Sequence, residues 1–399
     1  MEVQGGRIIL ASHTTRAGQP PVLLTWGESR MALAATRALG RAGLPVAVLA
    51  EQAWAPAWRS RFCTEAVQAP DADSGAAYAD FLAQRLRARP HSGLFFCDDR
   101  TALLVGRQRE RFAPLVPFLL PEQRHLELTL DKNAMMAFAR EHGIGLPLTA
   151  WPSGADDLER ACRGMRYPLL VKGSGGFASS HLRIVHAPAQ ARAAYAEMER
   201  EQQLGGFTEP PHLQEYVEGT VFSALALCRQ GEPLGLFQMR KHRTFPVWGG
   251  VCVEAESVHE PELERAARAL LAVLPWHGVI EIEFVRDRRD GRFLLIEPSP
   301  DPNWGLDLAI ASGMNVPLQA WRLMQGQIPS VADLRYRVGQ RFVWMLPEGL
   351  LHLRARPRSA WPLLWRNLDP RVAADWRQGD AGPLRPLLGR TRWLLGAGR

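Results

Sequence analysis

Glu283 and Glu297 stand in two segments that read as the arms of a hairpin. In Val279–Val285 the alternation places Ile280, Ile282 and Phe284 on one face and Glu281 and Glu283 on the other. Asp287, Asp290 and Gly291 supply the turn, and Arg292–Ile296 the returning strand. A loop of three or five residues pairs Asp287 with Phe293 and sets Glu283 opposite Glu297. Their Cβ atoms then lie about 4.5–5.5 Å apart on one face, where like charges repel. A divalent cation between them removes the repulsion. Carboxylate oxygens suit Mg²⁺, which is commonly held by one or two carboxylates together with substrate phosphates. The plainer alternative is a surface hairpin with two solvated glutamates. Against it stand the apolar run Phe293–Ile296, as in a buried strand, and Glu297-Pro298-Ser299-Pro300 directly behind it.

A second group is cationic. Lys172 closes the apolar strand Leu169-Leu170-Val171 and is followed by Gly173-Ser174-Gly175-Gly176-Phe177-Ala178-Ser179-Ser180. Such a loop turns backbone amides toward an anion, and the lysine adds a fixed charge. The lysine precedes the glycines, so this is no Walker loop. The alternative is a flexible hairpin with an exposed lysine. Arg240-Lys241-His242-Arg243 follows a strand and precedes Pro246 and Gly249-Gly250. It is too short and isolated for a nucleic-acid patch. No Ser-His or Cys-His arrangement offers a side-chain nucleophile.

These groups need elements to carry them. Val22–Thr25, the turn Trp26-Gly27-Glu28-Ser29, a helical pattern from Met31 to Leu39 and the strand Val46–Leu49 make a βαβ unit. It lacks the G-x-G-x-x-G dinucleotide fingerprint. A helix over Tyr78–Arg87, a strand Leu94–Cys97 and a helix from Asp98-Asp99 through Arg111 extend it. Asp98 and Asp99 read as helix caps ahead of ligand contacts. Helices are expected over Leu130–His142, Ala189–Glu201, Pro261–Leu274 and Leu306–Leu323, and strands over His181–Val185, Phe222–Cys228 and Pro233–Met239.

Composition bounds the rest. The chain has 399 residues, 46% hydrophobic and 22% charged, enough for two or three packed domains. No apolar stretch has the length of a membrane span, and the N-terminus is a poor signal peptide. The five Cys form no C-x-x-C pair and read as buried thiols in a reducing cytosol, so a cytoplasmic protein is expected. The net charge is +7, and residues 351–399 supply it through ten Arg against three Asp. That stretch interleaves Trp361, Trp365, Trp376 and Trp393 with arginine. Either the aromatics pack it onto the core, or they rest at the headgroups of an anionic membrane.

Glu283-Phe284, Leu294–Ile296, Glu297, Pro300 and Trp304-Gly305 together resemble the metal-binding end of ATP-grasp ligases, whose pattern is E-F … L-E-x-N-P-R. Here Ser299 takes the Asn position and Asp301 the Arg position, with Asn303 near enough to substitute. Gln214-Glu215-Tyr216-Val217-Glu218-Gly219 resembles the hinge that reads the adenine edge. Asp131-Lys132, Lys172, that hinge, Glu283 and Glu297 come in the family's order and spacing, within roughly Pro21–Gln327. The chain is similar to predicted ATP-dependent carboligases of this superfamily.

The resemblance implies a Rossmann-like domain over residues 1–128, ATP-grasp subdomains over 129–212 and 213–330, and a basic Trp- and Pro-rich extension over 331–399. It implies ATP and Mg²⁺ or Mn²⁺ as cofactors, and small-molecule carboxylate and amine substrates joined through an acyl-phosphate. Lys132, Lys172, Ser174, Gly175, Gly176, Gln214, Glu215, Val217 and Glu218 would hold the nucleotide, with Glu218 or another group taking the ribose because Val221 fills the usual acidic position. Glu283, Glu297 and Ser299 would hold the metal, and Arg240, Lys241 or Arg243 would steady the transferring phosphate. A nucleotide-binding protein that ligates nothing, or a membrane-surface adaptor, are the alternatives. No nucleic-acid partner is expected, and a homo-oligomer is left open.

Overall fold

The structure is a computed structural model that describes residues 9–10, 18–173, 182–204, 210–247 and 249–396. Among these residues sixteen strands, numbered in chain order, form three sheets. The first runs β1 (Ile9–Leu10), β4 (Glu65–Gln68), β3 (Val46–Ala50), β2 (Val22–Leu24), β5 (Gly93–Phe95). β2 to β5 are parallel, and β1 lies antiparallel to β4. The helix Arg30–Arg41 crosses from β2 to β3, with the Ser29 hydroxyl accepting the Ala32 N–H at 3.0 Å as its cap. The expected βαβ unit is therefore present. Asp98 caps the helix Asp99–Arg107 by accepting the Thr101 N–H at 2.7 Å.

The second sheet runs β6 (Thr149–Ala150), β9 (His212–Glu215), β7 (Leu169–Lys172), β8 (Leu182–Val185), all antiparallel. The helices Ala155–Gly164 and Pro188–Leu204 cover it over a small core of Cys162, Val171, Tyr195 and Leu213.

The third runs β14 (Phe293–Ser299), β13 (Gly278–Asp287), β10 (Gly219–Arg229), β11 (Glu232–Phe245), β12 (Val251–Ser257), β15 (Arg341–Val343), β16 (Ala373–Ala374). Only β15 and β16 pair in parallel. Ile280, Ile282 and Phe284 of β13 are buried with Phe222, Ala224 and Leu295 beneath the helix Pro261–Val273. Each such side chain contributes roughly 1.5–3 kcal/mol, and the opposite face of β13 is left to Glu281 and Glu283.

Four expectations are corrected. Arg286, rather than Asp287, pairs with Phe293; a bulge between Glu283 and Phe284 then takes up one residue, so Glu283 still faces Glu297. The cations Arg240–Arg243 lie inside β11, because β12 pairs with that stretch across a bulge at His242. Leu306–Leu323 is two helices, Leu306–Ser312 and Val316–Met324, broken at Gly313 with φ +112° and restarted by the Asn315 cap.

The basic C-terminal stretch is the fourth. It is part of the fold: β16 joins the third sheet, and Leu363, Val372 and Leu387 enter the core. Asp380 accepts hydrogen bonds from Arg37, Ser60 and Arg61 of the first sheet's layer, and Asp375 accepts from the N–H groups of Met345 and Leu346. Of its tryptophans, Trp376 packs against the core while Trp361, Trp365 and Trp393 face outward. Among the described residues no helix is long and apolar enough to cross a membrane, and the five Cys are free and buried.

Candidate active site

The second and third sheets face each other across a cavity of about 1000 Å³, whose lining includes residues of β7, β9, β11, β13 and β14 and of the linker between β9 and β10. At one side Lys172 ends β7, and its Nζ donates to Gln214 Oε1 on β9 at 2.7 Å. Gln214 Nε2 in turn donates to the Thr149 hydroxyl at 3.0 Å. Burial, with Lys132 beside it, lowers the Lys172 ammonium to about 8, against a smaller pull upward from Glu297. A phosphate there would relieve both penalties.

The linker after β9 uses the Glu215 and Tyr216 N–H groups on the carbonyls of Leu148 and Pro168, at 2.8 and 3.0 Å. Among the described residues no backbone bond engages the Val217 N–H, and Val217 lines the cavity. The Glu215 carboxylate is held by Arg289 at 2.7 Å. Lys132 opens the helix Lys132–Glu141 behind the Asp131 cap and stands 3.7 Å from Glu297.

The acidic side gathers Glu283 and Glu297. Burial first, and then Glu297, raise the Glu283 carboxyl, while Lys241 pulls it down through a direct ion pair. Glu281, fully buried next door, is raised to about 8 by burial; its Oε2 accepts the Gly305 N–H at 3.1 Å and its Oε1 has no partner. Asp301 is raised to about 7 by burial, with Asp99, Asp98 and Glu297 adding repulsion. Ser299 accepts from Asn303 Nδ2 at 3.3 Å, which brings the Asn303 amide beside the pair.

Burial is the first cause of each raised carboxyl, and a divalent cation would favour their ionised forms. Among the described residues no three His, Cys, Asp or Glu side chains form a metal-binding group. Two carboxylates fit Mg²⁺ where phosphate oxygens complete its shell, and fit a fully protein-enclosed ion poorly.

Lys132, Lys172, Gln214, Glu215, Val217, Lys241, Arg243, Glu283, Glu297 and Ser299 all line this one cavity. Two expected residues stand elsewhere. Arg240 turns to Glu256 at 2.9 Å, and Glu218 is exposed, 3.9 Å from Arg288. Ser174, Gly175 and Gly176 lie outside the described residues.

The sequence reading missed the cavity's fourth wall. His352, Arg356, Ser359 and Arg366 of the C-terminal segment line it, as does Asp99 from the first sheet's layer. Arg366 and Arg243 share Glu254, a fully buried carboxylate that also accepts Arg341 at 3.1 Å. The ten arginines of residues 351–399 were the only signal, and no local pattern says which of them turn inward.

No protein-family model and no curated protein sequence matches the chain. Solved structures do. A biotin carboxylase from Campylobacter jejuni, solved as a complex with β,γ-ATP, superposes with a TM-score of 0.65 at 16% identity, over 82% of this chain and 75% of its own. A phosphoribosylglycinamide synthetase from Anaerococcus prevotii gives 0.60 at 15% identity, over 81% and 80%. An L-amino acid ligase from Bacillus licheniformis gives 0.59 at 16% identity, over 80% and 78%.

Proposed function

From the ATP-grasp fold that this chain has, we propose that it is an ATP-dependent ligase: it activates a carboxylate as an acyl-phosphate for attack by an amine, releasing ADP and phosphate. One observation carries the reading. Lys132 and Lys172, the hinge residue Val217 and the facing carboxylates Glu283 and Glu297, drawn from separate stretches of chain, line a single cavity.

In this reading Val217 meets the adenine edge, and Lys172 and Lys132 hold phosphates. Glu283 and Glu297, with Ser299 beside them, hold Mg²⁺ or Mn²⁺, which would neutralise the phosphate oxygens around the transferring group. Lys241 keeps Glu283 ionised and fixed in place, which makes it a positioning residue. Arg243, oriented by Glu254, supplies positive charge where charge develops. No side-chain nucleophile is required, because positioning and electrostatics do the work of phosphoryl transfer.

The test is mass spectrometry of Mg²⁺–ATP reactions with pooled carboxylic acids and pooled amines, alongside ADP release. A condensed product with matching ADP is the expected result. A second reading, nucleotide binding without ligation, rests on Lys241 neutralising Glu283 and on Asp301 adding negative charge at the metal end. Tight ATP binding with no product from any pair would favour it.

A further inference from the structure

The cavity wall built by the C-terminal segment has a chemistry of its own. His352 and Arg356 stand one helical turn apart at the end of the helix Leu350–Ala355, and both line the cavity. His352 is 3% exposed. Its Nδ1 lies 2.9 Å from the Thr244 carbonyl, which can only accept, so Nδ1 carries the hydrogen. Nε2 is then a bare lone pair, buried and without a partner. A buried acceptor left unpaired costs about 1–3 kcal/mol, so a donor from the cavity would be favoured there. The same cavity is lined by Arg243 and Arg366, two of the three guanidiniums sharing the charge of Glu254, and by the exposed Arg356. Positive charge on this wall exceeds what its own carboxylate neutralises.

We propose that this wall is the subsite for the attacking amine, and that the amine carries an anionic group, as an amino acid does. Arg356 and Arg366 hold the anion, and His352 Nε2 accepts an N–H of the amine. The proposal rests on the ligase reading. In the step it serves, the amine nitrogen bonds to the acyl carbon as the bond from that carbon to the phosphate oxygen breaks. Of the two protons the ammonium loses, one leaves with the phosphate as HPO₄²⁻ and one passes to His352 Nε2.

Hydroxylamine separates the two ideas, since a small free nucleophile traps an acyl-phosphate without needing the subsite. Full-length protein is incubated with Mg²⁺–ATP, pooled carboxylic acids and either hydroxylamine, pooled amino acids or the matching decarboxylated amines. Wild type is expected to form hydroxamate, and to form amide with amino acids at least tenfold faster than with decarboxylated amines. Arg356→Ala should lower the amide-to-hydroxamate ratio at least tenfold by raising KM for the amino acid. His352→Asn, which keeps a donor toward Thr244, should lower kcat for amide formation while leaving hydroxamate formation unchanged. Arg354→Ala, two residues away and absent from the cavity lining, should leave the ratio unchanged. Hydroxamate without a preference for anionic amines, or a ratio unmoved in Arg356→Ala, overturns the subsite alone. No hydroxamate from any acid overturns the ligase reading and the subsite with it.

Discussion

At the residue scale the two carboxylates and the two lysines do different jobs, and substitutions should separate them. Glu297 is only partly buried, so Glu297→Gln should leave the fold intact while lowering Mg²⁺-dependent ATP turnover about a hundredfold, or ~2.7 kcal/mol of transition-state stabilisation. Wild-type turnover in that variant, with an unchanged circular dichroism spectrum, would sink the metal assignment. In the proposed reading Lys172 meets phosphate in ground and transition states alike, so Lys172→Ala should weaken ATP binding by calorimetry roughly tenfold or more, whereas Arg243→Ala should act mainly on turnover. The lowered Lys172 also sets a pH dependence. Below about 8 it is already charged and ATP binding takes up no proton there. Above that value binding must recharge it, so affinity should fall as pH rises, and Lys172→Ala should flatten the slope. A slope that survives the substitution would assign the titration elsewhere.

At the scale of elements, β12 is the member on which the cationic side depends. Its Glu254 lies at the centre of β11, β15 and the helix Ala360–Leu368 through Arg243, Arg341 and Arg366. Removing a buried partner leaves uncompensated charge, so Glu254→Ala should cost about 3–5 kcal/mol in urea unfolding. A loss no larger than that of an exposed pair such as Arg265 with Glu262 would contradict this. The hairpin of β13 and β14 shows how far the sequence was legible. Alternation placed Ile280, Ile282 and Phe284 inside, and the expected turn pairing faced Glu283 with Glu297. The path to that pairing differs, because the turn is shifted by one residue and a bulge, which leaves Ile296 unpaired, restores the register. Bulges arise from strand pairing that no local pattern records, and the same holds for β11, whose cations read as a loop until β12 is beside them.

At the scale of the whole molecule the C-terminal segment is a clasp. It adds a strand to the third sheet and pins the first sheet's layer through Asp380, which is almost fully buried against Arg37. Asp380→Ala should lower stability by about 3–5 kcal/mol, and a chain ending at Pro347 should lose cooperative unfolding, because Leu363, Val372 and Leu387 leave the core with it. Normal unfolding of either variant would show the clasp to be dispensable. Sequence reading saw basic aromatic residues here and left packing and membrane contact open, since arginine with tryptophan suits either setting. Arg366 turns inward to Glu254 and Asp380 reaches Arg37, and nothing in the neighbouring sequence marks either carboxylate as a hub.

The clasp also has a consequence for how the protein is made. Arg37 and its partner Asp380 are 343 positions apart, and chains emerge from the ribosome N-terminus first. Until the stretch around Asp380 has cleared the exit tunnel Arg37 lacks this partner, so the first sheet's layer is expected to gain its full protection only then, a delay in its closure. Limited proteolysis of nascent chains stalled before and after Asp380 would show the change, and protection already complete before it would rule the delay out.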